Sequence, residues 1–183
     1  PKKGLINRWG DADAFLENTQ DGDKLAWAEA RQTYQKTEVV RGSAFVRKRY
    51  VILADRLSTT ATDPREHAFR MHPNGGYDVK DGKIEAQPDG IHLQRPKGGV
   101  YAYVQSTAGA LTHKEPPFKK GAQPHVHGLY NKDGNHHFVS DSMIKAVAPQ
   151  FLTVLAPYKV GADKSSADGP LEVTKVDCGA DAS

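Results

Sequence analysis

An all-β chain, folded as an antiparallel sandwich of two sheets, is predicted by three features of this 183-residue sequence. Short apolar or alternating runs recur along its length. Seventeen glycines and eleven prolines supply turns between them. No segment carries helical periodicity over a convincing length.

The elements follow in order. Ala14-Phe15-Leu16 opens a strand that gives way to "TQDGDK", where Asp21-Gly22 suits a tight hairpin before "LAWAEA". Asp23 to Gln32 could pass for a helix, but Trp27 with its flanking alanines reads better as a strand. Tyr34 to Thr60 reads as two long strands joined at Lys48-Arg49. In the second, Tyr50, Val51, Ile52, Leu53 and Ala54 form a solid apolar run, which predicts a central strand covered on both faces, and Asp55-Arg56 ends the burial. "EHAFRMH" is a strand closing on His72, with His67, Phe69 and Met71 on one side. The meander "YDVKDGKIEAQPDGIHLQRP" turns at Asp81-Gly82 and at Pro88-Asp89-Gly90, and sets Ile91 and Leu93 against His92 and Gln94 on opposite faces. "VYAYVQS" and "FLTVLAP" follow as strands. Ser106 to Pro124 is long for a loop inside a compact domain. We therefore read residues 1–160 as the sandwich domain, and 161–183 as a flexible connection "GADKSSADG", a last strand at 171–176 and a disordered tail.

At 38% hydrophobic and 26% charged residues the chain has the profile of a folded, turn-rich domain. A net charge of +3 suits an acidic polysaccharide partner. The clustered basic and aromatic residues of a nucleic-acid module are missing, so no nucleic-acid partner is expected. The single cysteine, Cys178, excludes a disulfide framework and a cysteine-based metal site. No apolar run reaches membrane-spanning length, so no membrane partner is expected either. A start at Pro1 rather than Met is read as a sign of processing or of a missing N-terminal portion.

Histidines are the side chains best suited to local chemistry. His125 and His127 are two apart and share one face of an extended chain, the spacing a metal site on a strand needs. His136 and His137 follow a turn at Lys132-Asp133-Gly134 that could bring one of them opposite, with Asp133 or Asp141 adding an oxygen ligand. Zinc is the metal such a set would take, although the competing reading is a solvent-facing loop and no cofactor is expected. Arg47, Lys48 and Arg49 crowd a hairpin end, where charge spreads into water. Trp27, Tyr101 and Tyr103 could stack on sugar rings or pack within the sandwich. No Ser-His-Asp order, phosphate loop or carboxylate pair stands out.

The order of an Arg-bearing strand with Arg41 and Phe45, an aromatic strand Tyr50-Val51 closing on Asp55-Arg56, and a later strand ending in His72 resembles the C-terminal β-domain of the heparinase II/III-like polysaccharide lyases. The pattern continues from about Gly10 to about Lys159. The resemblance implies the tail of a secreted or periplasmic bacterial lyase that cleaves acidic, uronate-containing polysaccharide by β-elimination. In that family a Tyr and a His, helped by an Asn or second His, remove the C5 proton, and both they and a zinc-bearing segment belong upstream, in an α-helical toroid and the first β-strands. The expected role here is therefore scaffold and substrate-groove wall, inactive alone and partnered by the missing N-terminal helical domain. His72, Arg41 and Tyr101 are the expected substrate contacts and no catalytic residue is expected. The alternative is a stand-alone carbohydrate- or metal-binding β-module using His125, His127, His136 and His137.

Overall fold

The computed structural model describes residues 14–34, 37–71, 83–114, 140–163, 166, 168–171 and 173. Eleven strands run in chain order: β1 (Ala14–Gln20), β2 (Leu25–Tyr34), β3 (Thr37–Val46), β4 (Tyr50–Thr59), β5 (Arg65–Met71), β6 (Lys83–Gln87), β7 (Gly90–Gln94), β8 (Gly98–Ser106), β9 (Thr112–Lys114), β10 (Ser140–Ala146) and β11 (Phe151–Lys159). They form an eight-stranded sheet in the order β1-β2-β3-β4-β11-β8-β7-β6 and a three-stranded sheet β5-β10-β9. Every pairing is antiparallel, and among the described residues there is no helix. The all-β sandwich expected from the sequence is the fold observed.

The two hairpin meanders, β1 to β4 and β6 to β8, are sewn together by β11, which pairs with β4 on one side and β8 on the other. The hydrophobic core lies where the small sheet covers the main one. Phe69, Ile91, Ala102, Val104 and Phe151 are buried there, with Leu53, Leu57, Met71, Leu111, Ile144 and Leu155 packed around them. Period-two alternation fixes this arrangement, since Ile91 (1% exposed) faces inward and its neighbour His92 faces out. Large apolar side chains exposed on the main sheet are divided between its faces, with Leu16 and Phe45 on the inner face and Leu25 and Leu152 on the outer.

Some sequence expectations change, among them that Asp55-Arg56 ends the burial, since Asp55 is itself buried and Leu57 beyond it packs against the core. The run from Tyr50 to Ala54 is central by pairing, between β3 and β11, but is not covered on both faces: Tyr50 to Leu53 are half-buried and Ala54 is exposed. The small sheet packs on one face only, so the apolar run reports a central position rather than double burial. Of the expected last strand at 171–176, Leu171 and Val173 are irregular and the other positions lie outside the described residues. This stretch is tied back by hydrogen bonds from Tyr103 Oη to Leu171 O (3.2 Å), Lys159 N to Asp168 O (2.8 Å) and Arg49 Nη2 to Ser166 O (3.3 Å). The long loop from Ser106 contains the short strand β9, which extends the small sheet.

The β3–β4 hairpin closes through the three residues Arg47 to Arg49, with Arg49 N donating to Val46 O at 2.9 Å and Arg47 and Lys48 at φ of 48° and 55°. This is the geometry of a type I′ turn, which favours Asn-Gly. Holding two L-residues with side chains there costs roughly 1–2 kcal/mol each. At the β6–β7 turn, by contrast, Gly90 is required, since a Cβ would lie 1.9 Å from the carbonyl oxygen of Ala102.

Candidate functional site

Arg41 sits on the inner face of β3, directly opposite Asp55 on β4. Its Nε and Nη2 donate to the two carboxylate oxygens at 2.6 and 2.7 Å, and the guanidinium lies 5.9 Å from the centroid of the Phe69 ring. The hydrogen bond to Asp55 raises the Arg41 pKa against the opposing effect of burial. Asp55 is only 5% exposed, so the fork neutralises a carboxylate that water hardly reaches. Arg41 therefore already holds a protein carboxylate, and an incoming uronate would have to compete with it.

Tyr101 stands on the outer face in a cluster of four rings. Register places His92 on β7 beside Tyr101 on β8 and Tyr101 beside Ala156 on β11, while Tyr158 faces Gly99. The His92 and Tyr101 rings are stacked at 4.1 Å and 8°, Tyr101 and Tyr158 at 5.4 Å, and Tyr101 and Tyr103 at 6.0 Å. Gly99 makes the room, because a Cβ there would come within 2.4 Å of the Tyr158 ring. His92 Nε2 lies 2.7 Å from Tyr158 Oη, and its Nδ1 lies 4.0 Å from Glu85 Oε2. A proton on Nδ1, toward Glu85, leaves Nε2 to accept the Tyr158 hydroxyl proton. Burial, with Tyr101 next, raises the Tyr158 pKa, so this phenol donates hydrogen bonds and is a poor base. Since the rings cover one another's faces, the cluster offers ring edges and hydroxyls rather than an open stacking platform.

A third group lies at the opposite rim of the sandwich. Pro88-Asp89, the end of β8 and the start of β9 border a cleft of about 560 Å³, into which Asp89, Gln105, Ser106 and His113 bring polar groups. His113 Nδ1 is 2.8 Å from Oγ of the fully buried Ser142 across the β9–β10 ladder. Burial lowers the His113 pKa, and Asp89 pulls the other way. Ser142 cannot serve as a nucleophile, because nothing reaches its hydroxyl from solvent; it holds the imidazole in place.

Sequence reasoning had Arg41 and Tyr101 but not their partners: hairpin register sets Asp55 beside Arg41 and His92 beside Tyr101, and Tyr158 arrives because β11 enters between β4 and β8. It missed His113 because "LTHK" was read as loop; the alternation of Leu111 and His113 with polar neighbours was the available signal. The structure keeps Arg41 and Tyr101 apart, on opposite faces of the main sheet. His72, His125, His127, His136, His137 and Asp133 lie outside the described residues. Among the described residues no three His, Cys, Asp or Glu side chains gather as a metal-binding group, and no helix is long and apolar enough to cross a membrane.

No family model and no curated protein matches the chain. Solved structures do match it. One is a heparinase III gene product with methylated lysines, at a TM-score of 0.61 and 15% identity over 82% of this chain and 22% of the other. A second heparinase III aligns at 0.60 and 13% identity, over 84% of this chain and 22% of that one. The heparan sulfate lyase HepC from Pedobacter heparinus aligns at 0.58 and 13% identity, over 82% and 22%. The chain thus shares the fold of a part of the heparinase III enzymes, and it spans about a fifth of their length.

Proposed function

We propose that this chain is the β-sandwich portion of a polysaccharide lyase acting on acidic polysaccharide by β-elimination, and that it serves there as scaffold and groove wall. The observation that carries this reading is the match of more than four-fifths of the chain to enzymes named heparinase III and heparan sulfate lyase. Two features of the chain support the supporting role over the catalytic one. Burial raises the Tyr158 pKa, which makes this phenol a poor base for taking a proton from a sugar carbon. Arg41 is occupied by Asp55, and so braces the sheet at the point where the small sheet packs on it.

In this role the chain acts with an α-helical domain of the same protein, and its setting is secreted or periplasmic. The test is an assay of the purified chain on heparan sulfate, heparin, chondroitin, hyaluronan and alginate, read by ultraviolet absorbance of unsaturated uronate. No product is expected. Steady turnover by the chain alone would show that the chemistry resides within it and would sink the supporting-role reading.

A further inference from the structure

One end of the main sheet gathers cations from four separated pieces of chain. The β1–β2 turn, the β3–β4 turn, the β7–β8 link and the segment after β11 all emerge there, because these strands alternate in direction. Backbone hydrogen bonds fasten the pieces to one another. Arg47 N donates to Lys24 O at 2.8 Å, and Val160 N to Lys97 O at 3.2 Å. Among the described residues of these four segments, six Lys or Arg, with Lys159 at the end of β11 as a seventh, stand beside four Asp. Two of those acids pair with members of the row, Asp168 with Lys159 and Asp23, at 4.0 Å, with Lys48, and the row as a whole keeps an excess of cations. From β2 to β7 the strand ends cross five inter-strand spacings, a row of about 24 Å.

The centre of the row is the strained hairpin. Arg47 and Lys48 occupy the two left-handed positions of a turn for which Asn-Gly is the unstrained choice. Strain of this kind collects at functional sites, and here it coincides with two long cationic side chains.

We propose that this row of strand-end cations, centred on Arg47 and Lys48 and flanked by Lys24, Arg49, Lys97 and Lys159, binds a linear anionic polysaccharide laid across the strand ends. The proposal rests on the lyase reading above and adds to it the surface that meets the polymer. A row, rather than a pocket, matches a ligand whose charge repeats along its length. The loop residues forming it include no aromatic side chain, which a site for single-stranded nucleic acid would use to stack bases.

The test is retention of the 183-residue chain on immobilised heparin as a function of salt, beside the variant R47N/K48G and the charge-matched control R65Q/K145Q on the small sheet. Arg65 and Lys145 are exposed on β5 and β10. R47N/K48G is expected to melt at a higher temperature, because its turn is relieved, and yet to elute at lower salt. Its log–log salt slope should fall by roughly 0.7–0.9 for each lost contact. The control should keep the parent elution. Unchanged elution of R47N/K48G, or an equal loss in the control, would overturn the site. A lower melting temperature for R47N/K48G would overturn the strain argument on which its centre was chosen. Competition separates the sources of charge: displacement by both heparin and alginate assigns carboxylate, displacement by heparin alone assigns sulfate, and displacement by neither overturns the proposal. Retention on a DNA column equal to that on heparin would overturn the assignment to polysaccharide. Because lyase product is not read, binding through this row by a chain whose parent protein cleaves nothing would sink the proposed function and leave the site standing.

Discussion

Removing Arg41 should cost far more stability than removing its partner. In Arg41→Ala the Asp55 carboxylate stays on the inner face of β4, its side chain 6% exposed, with its two charge-assisted hydrogen bonds gone. Breaking a buried pair in this way costs about 3–5 kcal/mol, and the low end applies because water can follow the vacated guanidinium. In Asp55→Ala the orphan is Arg41, whose side chain is 46% exposed and can turn its charge into solvent, so a loss of about 1–2 kcal/mol is expected. Replacing both, as in Arg41→Met with Asp55→Leu, should leave stability within about 1 kcal/mol of the parent, because the desolvation of the pair is relieved along with its attraction. Urea unfolding followed by circular dichroism measures all three, with the slope of the transition checked for constancy. Equal losses in the two single variants, or a double variant as unstable as Arg41→Ala, would refute the claim that a carboxylate buried on one side and a solvent-reaching arginine on the other set the balance.

Other outcomes follow from single contacts. Thr153 is fully buried and its hydroxyl has no partner among the described residues, so Thr153→Val should raise stability by about 1 kcal/mol in the same unfolding experiment. Gly99→Ala would drive a methyl into the Tyr158 ring and should cost about 1–3 kcal/mol, with the His92 imidazole resonances moving in NMR spectra as the 2.7 Å contact breaks. For His113 the folded-state pKa is lowered by burial, so the unfolded chain binds more protons and stability falls as pH drops below the ordinary histidine value near 6.5. Melting temperatures taken from pH 7 to pH 5 should show that slope, and His113→Asn, which can still meet Ser142, should flatten it.

The fold was legible because its strands announce themselves. Alternation at Ile91-His92-Leu93 and the turn at Pro88-Asp89-Gly90 are local signals, and local sterics satisfy them: Gly90 is the residue that fits beneath the Ala102 carbonyl. Double burial of Tyr50 to Ala54 was misjudged because an apolar run cannot say whether one or two layers will cover it, and here a three-stranded sheet covers only one face. The site was less legible for a different reason. Arg41 and Asp55 are neighbours because one hairpin sets their register, so their pairing could have been drawn from a three-residue turn centred on Lys48. His92 meets Tyr101 through the β7–β8 hairpin, but Tyr158 joins them only because β11 returns from far along the chain to lie beside β8, and no local pattern carries that information. Likewise, a basic turn reads as a solvated hairpin end until its backbone angles show that the basic residues are held there at a cost.

The most direct test of the chain as part of a polysaccharide lyase compares the whole polypeptide that carries it with the same polypeptide lacking residues 14–163. Both would be incubated with heparan sulfate and with alginate, and unsaturated uronate would be followed by absorbance, with circular dichroism confirming that the remainder is folded. The intact protein is expected to release product from one of these polymers, and the deletion to lose that activity while keeping its fold. A folded deletion that cleaves as fast as the intact protein, or an intact protein that yields no unsaturated product from any acidic polysaccharide, would contradict the assignment.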